Sequence, residues 1–190
     1  MGCLAGLAAS ITNDCAKQPT AGLERKVWLI NRADIATITH DGVNNHLITA
    51  ITLNTGKTAF VFTAYRKDVD AGFDEVVREN LPPAFTHYFK MEPWDQNSDQ
   101  VEELDNMEDL VAIVEKKGDK TYDSGDGYFQ IYGLQNGLYK TSGTQRLQDN
   151  GGVPTYEFGT REGEEEPYSK HIFYDTDYAT SLAALVALES

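Results

Sequence analysis

The apolar residues of the chain fall in short runs of β-branched and aromatic side chains separated by Gly, Pro, Asn and Asp, the pattern of a protein built mainly from β-strands. Lys26-Val27-Trp28-Leu29-Ile30 is a continuous apolar run short enough for a strand buried on both faces, and Ile35-Ala36-Thr37-Ile38-Thr39 follows it as a second strand. The runs Leu47–Leu53 and Thr58–Tyr65 flank Asn54-Thr55-Gly56-Lys57, where Gly56 tolerates positive φ, so the pattern predicts a β-hairpin turning at that tetrapeptide, with Leu47, Ile51, Phe60 and Phe62 toward the core. Further strands are expected at Phe85–Met91, Asp109–Glu115, Gly127–Gly133, Pro154–Phe158 and His171–Tyr174. Two short helices complete the list. Asp99 followed by Glu102 has capping-box spacing for an acidic helix ending near Met107, and Tyr178, Leu182, Leu185 and Val186 are spaced for an amphipathic helix capped by Asp175, Thr176 or Asp177.

Three stretches lack a pattern that would bury itself. Residues 1–23 read as an N-terminal arm, and residues 66–83, with Asp68, Asp70, Asp74, Glu75, Glu79 and the pair Pro82-Pro83, read as an extended loop or arm, or as a frayed strand. Residues 134–152, rich in Gly, Asn, Ser and Thr, read as another extended loop. The expectation is one β-rich domain over residues 1–190, a β-sandwich or barrel with one or two short helices.

Charge narrows the partners. Sixteen Lys and Arg against 30 Asp and Glu give a formal net charge of −14, which repels phosphate backbones and anionic lipid heads, so tight nucleic-acid or membrane binding is not expected. There is no apolar run long enough to span a bilayer. Cys3 and Cys15 are the only cysteines, too few for a disulfide framework and without zinc-site spacing, which fits a reducing compartment. The start, Met-Gly-Cys-Leu-Ala-Gly, has Gly6 where a myristoylation signal needs Ser or Thr, and the run Cys3–Ala9 has no basic region ahead of it.

Motifs of chemistry are absent. The chain has no GxxxxGK[ST], GxSxG, HExxH or strand-borne GxGxxG, so no catalytic residue and no cofactor are assigned. His40, His46, His87 and His171 are far apart and read as ordinary strand or surface residues, not metal ligands. Asp95-Gln96-Asn97-Ser98-Asp99 copies the first oxygen positions of an EF-hand, but Gln100 and Asn106 stand where Gly and Glu are needed, so a helix-capping loop is the better reading. Asp123-Ser124-Gly125-Asp126-Gly127 reads as a turn. The many carboxylates leave a hydrolase without a specific pair to point to, whereas the ten tyrosines with Trp28 and Trp94 keep a carbohydrate-binding module as an alternative to packing in core or interface.

The order of features resembles small structural proteins of tailed bacteriophages that infect Bacteroidetes, namely tail-tube and connector-ring proteins. The residues that carry it are Cys3 and Cys15 flanking a Gly/Ala/Leu segment, Val27-Trp28-Leu29-Ile30-Asn31 with Asp34-Ile35, the turn Asn54–Lys57, the run Leu110–Val114, Thr141-Ser142-Gly143 and Asp149-Asn150-Gly151-Gly152. The resemblance implies a ring subunit, commonly in a hexamer. Its partners would be copies of itself and other phage head-tail proteins, and it would reside in the virion after assembly in the host cytoplasm. Stacked rings would form a conduit through which DNA passes without sequence-specific binding; a head-to-tail connector ring is the alternative. A ring needs sheet edges and arms that neighbours complete, and Leu4, Leu7, Phe73, Val76, Leu81, Leu138 and Tyr139 are the expected inter-subunit residues. An acidic wall lets DNA slide, since the duplex carries about one charge per 1.7 Å. Such a lumen is expected at Glu102, Glu103, Asp105 and Glu108, or at Glu162, Glu164, Glu165 and Glu166.

Overall fold

The computed structural model describes residues 21–65, 68–79, 81–94, 97–118 and 127–189. The arm 1–20, with Cys3, Leu4, Leu7 and Cys15, lies outside the described residues, as do Asp95, Gln96 and 119–126. The fold is mainly β, two sheets packed as a sandwich with two helices, as the strand-rich sequence requires.

The first sheet runs β2(Ile35–His40), β3(Leu47–Leu53), β11(His171–Phe173), β8(Phe129–Tyr132), β7(Leu110–Lys116), β1(Leu23–Asn31), β4(Phe60–Thr63). All neighbours are antiparallel except β3 and β11, where Ile172 faces Leu47 and Phe173 faces Ile48 in parallel register. The second sheet runs β5(Val69–Val76), β6(Ala84–Met91), β10(Thr155–Gly159), β9(Tyr139–Thr144), all antiparallel.

The expected hairpin between residues 47–53 and 58–65 does not form. β3 pairs with β2, and β4 pairs with β1 at the other end of the sheet. The reversal lies instead at Asp41–His46, where the Asp41 carboxylate accepts the N–H groups of Val43 and Asn44, both at 3.0 Å, and Asp41 N–H donates to the Leu47 carbonyl at 2.9 Å. From there one long hairpin runs back: β1 and β2 are two parts of one strand path, β3 and β4 two parts of its partner. The turn Asn54–Lys57 exists, with Gly56 at φ 78° and Lys57 N–H on the Asn54 carbonyl, but it makes a corner. It faces the 3-10 turn Arg32–Asp34, held by Asn54 N–H on the Asp34 carbonyl at 2.8 Å and by Lys57 Nζ 3.1 Å from the Asp34 carboxylate. A local turn signal cannot distinguish a reversal from a corner, because both need the same positive φ.

Because both ends of the first sheet belong to this bent hairpin, the sheet curls on itself and is apolar on both faces. Trp28, Ile30, Val111, Ile113, Ile131, Ile48 and Phe173 point inward with Leu185 of the C-terminal helix α2(Tyr178–Ala187). Val27, Leu29, Ala112, Val114 and Leu110 point to the other side, against Phe89, Met91 and Phe158 of the second sheet. This is why β1 and β7 read as unbroken apolar runs. α2 begins on Asp177, whose side chain accepts Thr180 N–H at 2.7 Å, and its end is tied to the core by Trp28 Nε1 donating to Glu189 at 2.7 Å.

Two expected loops are strands. Within 66–83, β5 pairs with β6 over its whole length: Val69 and Ala71 face the core while Asp70 and Asp74 take the other side, and Gly72 leaves room for the Tyr88 ring, where a Cβ would stand 2.7 Å from Tyr88 Cε1. The strand looks polar in sequence because it is an edge with small inward residues. Within 134–152, β9 pairs with β10 despite its Gly and Ser, since Gly143 lies against the Tyr156 ring. The acidic helix is α1(Ser98–Asn106), capped two residues earlier than expected: Asn97 accepts Gln100 N–H at 2.9 Å and the Gln100 side chain accepts Asn97 N–H at 3.2 Å.

Candidate functional site

β4 is the outermost strand of the first sheet and no described strand pairs with its outer side. Ala64 N–H donates to the Arg25 carbonyl at 2.7 Å, which fixes the parity of the ladder. Alternation then turns the backbone groups of Phe60 and Phe62 toward β1 and those of Val61 and Thr63 outward. The side chains on this edge are large and apolar: Phe60 is 48 % exposed, Val61 39 % and Tyr65 51 %. Phe60, expected in the core, is therefore a surface residue. It sits opposite the buried Leu29 and lines the cleft described next.

Beside this edge lies a cleft of about 850 Å³ between β4 and α1. Its floor is the buried Leu29, Met91, Leu104 and Leu110, and its mouth carries Trp94, 55 % exposed, with the Tyr65 ring 4.9 Å from it. Asp68, Glu92, Asp99 and Glu103 supply carboxylates around the apolar floor. Arg25 stands 5.8 Å from the Tyr65 ring, so the entry of β1 and the far end of β4 meet at this mouth.

The expected acidic groups divide. Glu102, Glu103, Asp105 and Glu108 are exposed on or just after α1, and Glu162 and Glu164 are exposed in the loop that follows β10. Arg161 bonds Glu108 at 2.9 Å, so the two clusters are neighbours in space. Glu165 is turned inward, bonded to Arg78 and to Gly163 N–H. Glu166 does not belong to any surface: it is wholly buried, accepts the N–H groups of Gln135 and Asn136 at 3.0 and 2.8 Å, and its own backbone bridges to Phe85. Burial raises its pKa, and the backbone donors offset part of that.

Of the expected contact residues, Leu138 is fully buried within the chain itself, with its backbone paired to Leu110, and so offers no side chain to a neighbour. Tyr139 is half-buried under the Arg161 guanidinium, 3.5 Å from its ring. Phe73 is 38 % exposed with its ring edge against Phe85, Val76 is half-buried at the end of β5, and Leu81 is 60 % exposed.

The histidines hold one arrangement that the sequence did not disclose. His171 is completely buried with neither ring nitrogen hydrogen-bonded, and the exposed His40 and His46 lie over it with ring centres 6.1 and 6.3 Å away. Burial, then the neighbouring histidines, lowers its pKa to about 4. His87 is also lowered to about 4 by burial, but it is satisfied: Nδ1 accepts Gly133 N–H at 3.0 Å, which leaves Nε2–H to donate to the Tyr168 carbonyl at 2.9 Å. Among the described residues no three His, Cys, Asp or Glu side chains converge as a metal site, and no helix is long and apolar enough to cross a membrane.

Comparison with protein-family models, with curated proteins and with solved structures found no match.

Proposed function

We propose that this chain is a self-assembling structural subunit, and that its assembly is the stacked ring of a bacteriophage tail tube. The observation that carries the reading is the outward backbone of Val61 and Thr63 beside an apolar cleft. An edge of this kind is ordinarily shortened, charged or covered, and here it is flanked by exposed Phe60, Tyr65 and Trp94. Closure by a neighbouring copy satisfies the backbone and removes the aromatic surface from water in one step. A heterologous contact of this sort closes into a ring when its rotation permits. The resemblance to phage tail-tube and connector-ring proteins supplies the setting, with the exposed carboxylates of α1 and the neighbouring loop as the acidic wall past which DNA slides.

The test is size-exclusion chromatography with light scattering and negative-stain microscopy of the purified full chain. Rings or tubes are expected; a monomer at every concentration, with no particles on the grid, overturns the proposal.

The same cleft supports a second reading. Tyr65 and Trp94 above Asp68, Glu92, Asp99 and Glu103 provide the aromatic faces and hydrogen-bonding groups that a sugar needs. Glycan-array binding by a protein that elutes as a monomer would favour it.

A further inference from the structure

We infer that the occupant of the β4 edge and its cleft is the N-terminal segment, residues 1–20, of a second copy of this chain; the inference rests on the ring reading. The described chain enters β1 at Leu23, which lies opposite Lys116, and Gly22 holds Lys117 N–H at 3.1 Å. β1 and β4 are antiparallel with Lys26 opposite Thr63, so the segment leaves each subunit at the Tyr65 end of β4, at the mouth of the cleft. Every subunit thus presents the docking edge and the point where residues 1–20 join the described chain at one place on its surface.

Length and composition fit that edge. Twenty residues precede Ala21, and at most about 3.3–3.6 Å per residue they reach roughly 70 Å, several times the radius expected of a domain this size. β4 is four residues long and needs only a small part of that reach. The stretch Gly2-Cys3-Leu4-Ala5-Gly6-Leu7-Ala8-Ala9 has no charged side chain and, apart from Leu4 and Leu7, only small ones. Small residues let a backbone approach the aromatic rim formed by Phe60, Tyr65 and Trp94, and an uncharged stretch suits the floor of Leu29, Met91, Leu104 and Leu110. The side chains of Leu4 and Leu7 would then fill the cleft.

Cysteine chemistry tests this, because Cys3 and Cys15 are the only native thiols. Thr63→Cys places a thiol on the open edge, and Val43→Cys places one at the 96 % exposed tip of the long hairpin, at the opposite end of the strands, as a control. Full-length proteins, assembled and treated with a short bismaleimide, are read on denaturing gels beside untreated and wild-type samples. A ladder of covalent oligomers with Thr63→Cys, absent with Val43→Cys and lost when Cys3 and Cys15 are both changed to Ser, is the expected result. A product of monomer mass with altered mobility would mean that the segment docks on its own subunit, and overturns the inference. Rings that form yet give no cross-link overturn it too, while leaving the ring reading intact. Failure to form rings sinks both.

Discussion

Arg32 and Asp109 meet in a two-pronged ion pair, Nε to Oδ1 at 2.7 Å and Nη2 to Oδ2 at 2.9 Å, that fastens the corner of the long hairpin to the entry of β7. The same guanidinium donates to the Gln135 carbonyl at 3.2 Å, and Arg32 N–H donates to the Asp109 carbonyl at 2.9 Å. Asp109 holds this position with φ at 56°, and Gly137, at φ 84°, passes so close that a Cβ there would lie 2.0 Å from Asp109 Oδ1.

Gly137→Ala should therefore be costly twice over, through its backbone and through the displaced carboxylate. About 2 kcal/mol or more of stability is expected to be lost. Asp109→Ala, which leaves a partly exposed arginine, should lose about 1–2 kcal/mol. Urea unfolding of the three proteins gives the order.

Glu166→Ala removes the acceptor of two buried backbone N–H groups and should cost about 2–4 kcal/mol, whereas Glu166→Gln keeps one oxygen and should cost less than half as much. Thermal melts of both variants separate the hydrogen bonds from the charge. Equal losses would mean that the negative charge itself is what the pocket requires.

Acid should destabilise the fold through His87 and His171. Both imidazoles are held neutral, with pKa lowered from 6.5 to about 4, so between these values the unfolded chain binds protons that the folded chain refuses. Stability falls as pH drops from 6.5 toward 4 and is insensitive to these rings above that window, by at most about 3 kcal/mol per ring. Glu166, shifted upward, has the opposite slope just above its ordinary range. Comparison with His171→Leu isolates the ring: since neither nitrogen has a partner, this variant should keep its stability at pH 7.5 and lose part of the acid sensitivity, as measured by unfolding at a series of pH values.

Val61→Lys places a charge on the open edge without touching the ladder to β1. The variant should fold, with an unchanged circular dichroism spectrum, and should elute as a smaller species than the parent chain. An unchanged assembly would remove β4 from the interface.

Strand positions were largely legible because β1, β3, β6 and β7 carry their own apolar runs, and Asp177 and the α1 region carry helix caps. Pairing was less so. Gly56 announces positive φ but not whether the chain turns back or merely bends, and the partner of β4 is decided by Val27 and Leu29, far away in sequence. β5 reads as an arm or a frayed strand because its solvated face is acidic, and β9 reads as a loop because its Gly, Ser and Thr do not announce a strand. Of the site, the acidic surface of α1 was readable as charge. Glu166 was not separable from Glu164 and Glu165, since burial depends on Gln135 and Asn136 arriving from another loop. The cleft needed the whole fold, because β4, Trp94 and α1 meet only through tertiary packing.

The parallel pairing of β3 with β11 sets a schedule for maturation. Leu47 and Ile48 are made well before His171–Phe173, the strand that fills the seam beside them on that side. Until it arrives, the nascent polypeptide carries a gap in its wall where Ile48 and Ile51 lie bare, so late closure of that seam, not early hairpin formation, should pace the appearance of the folded chain.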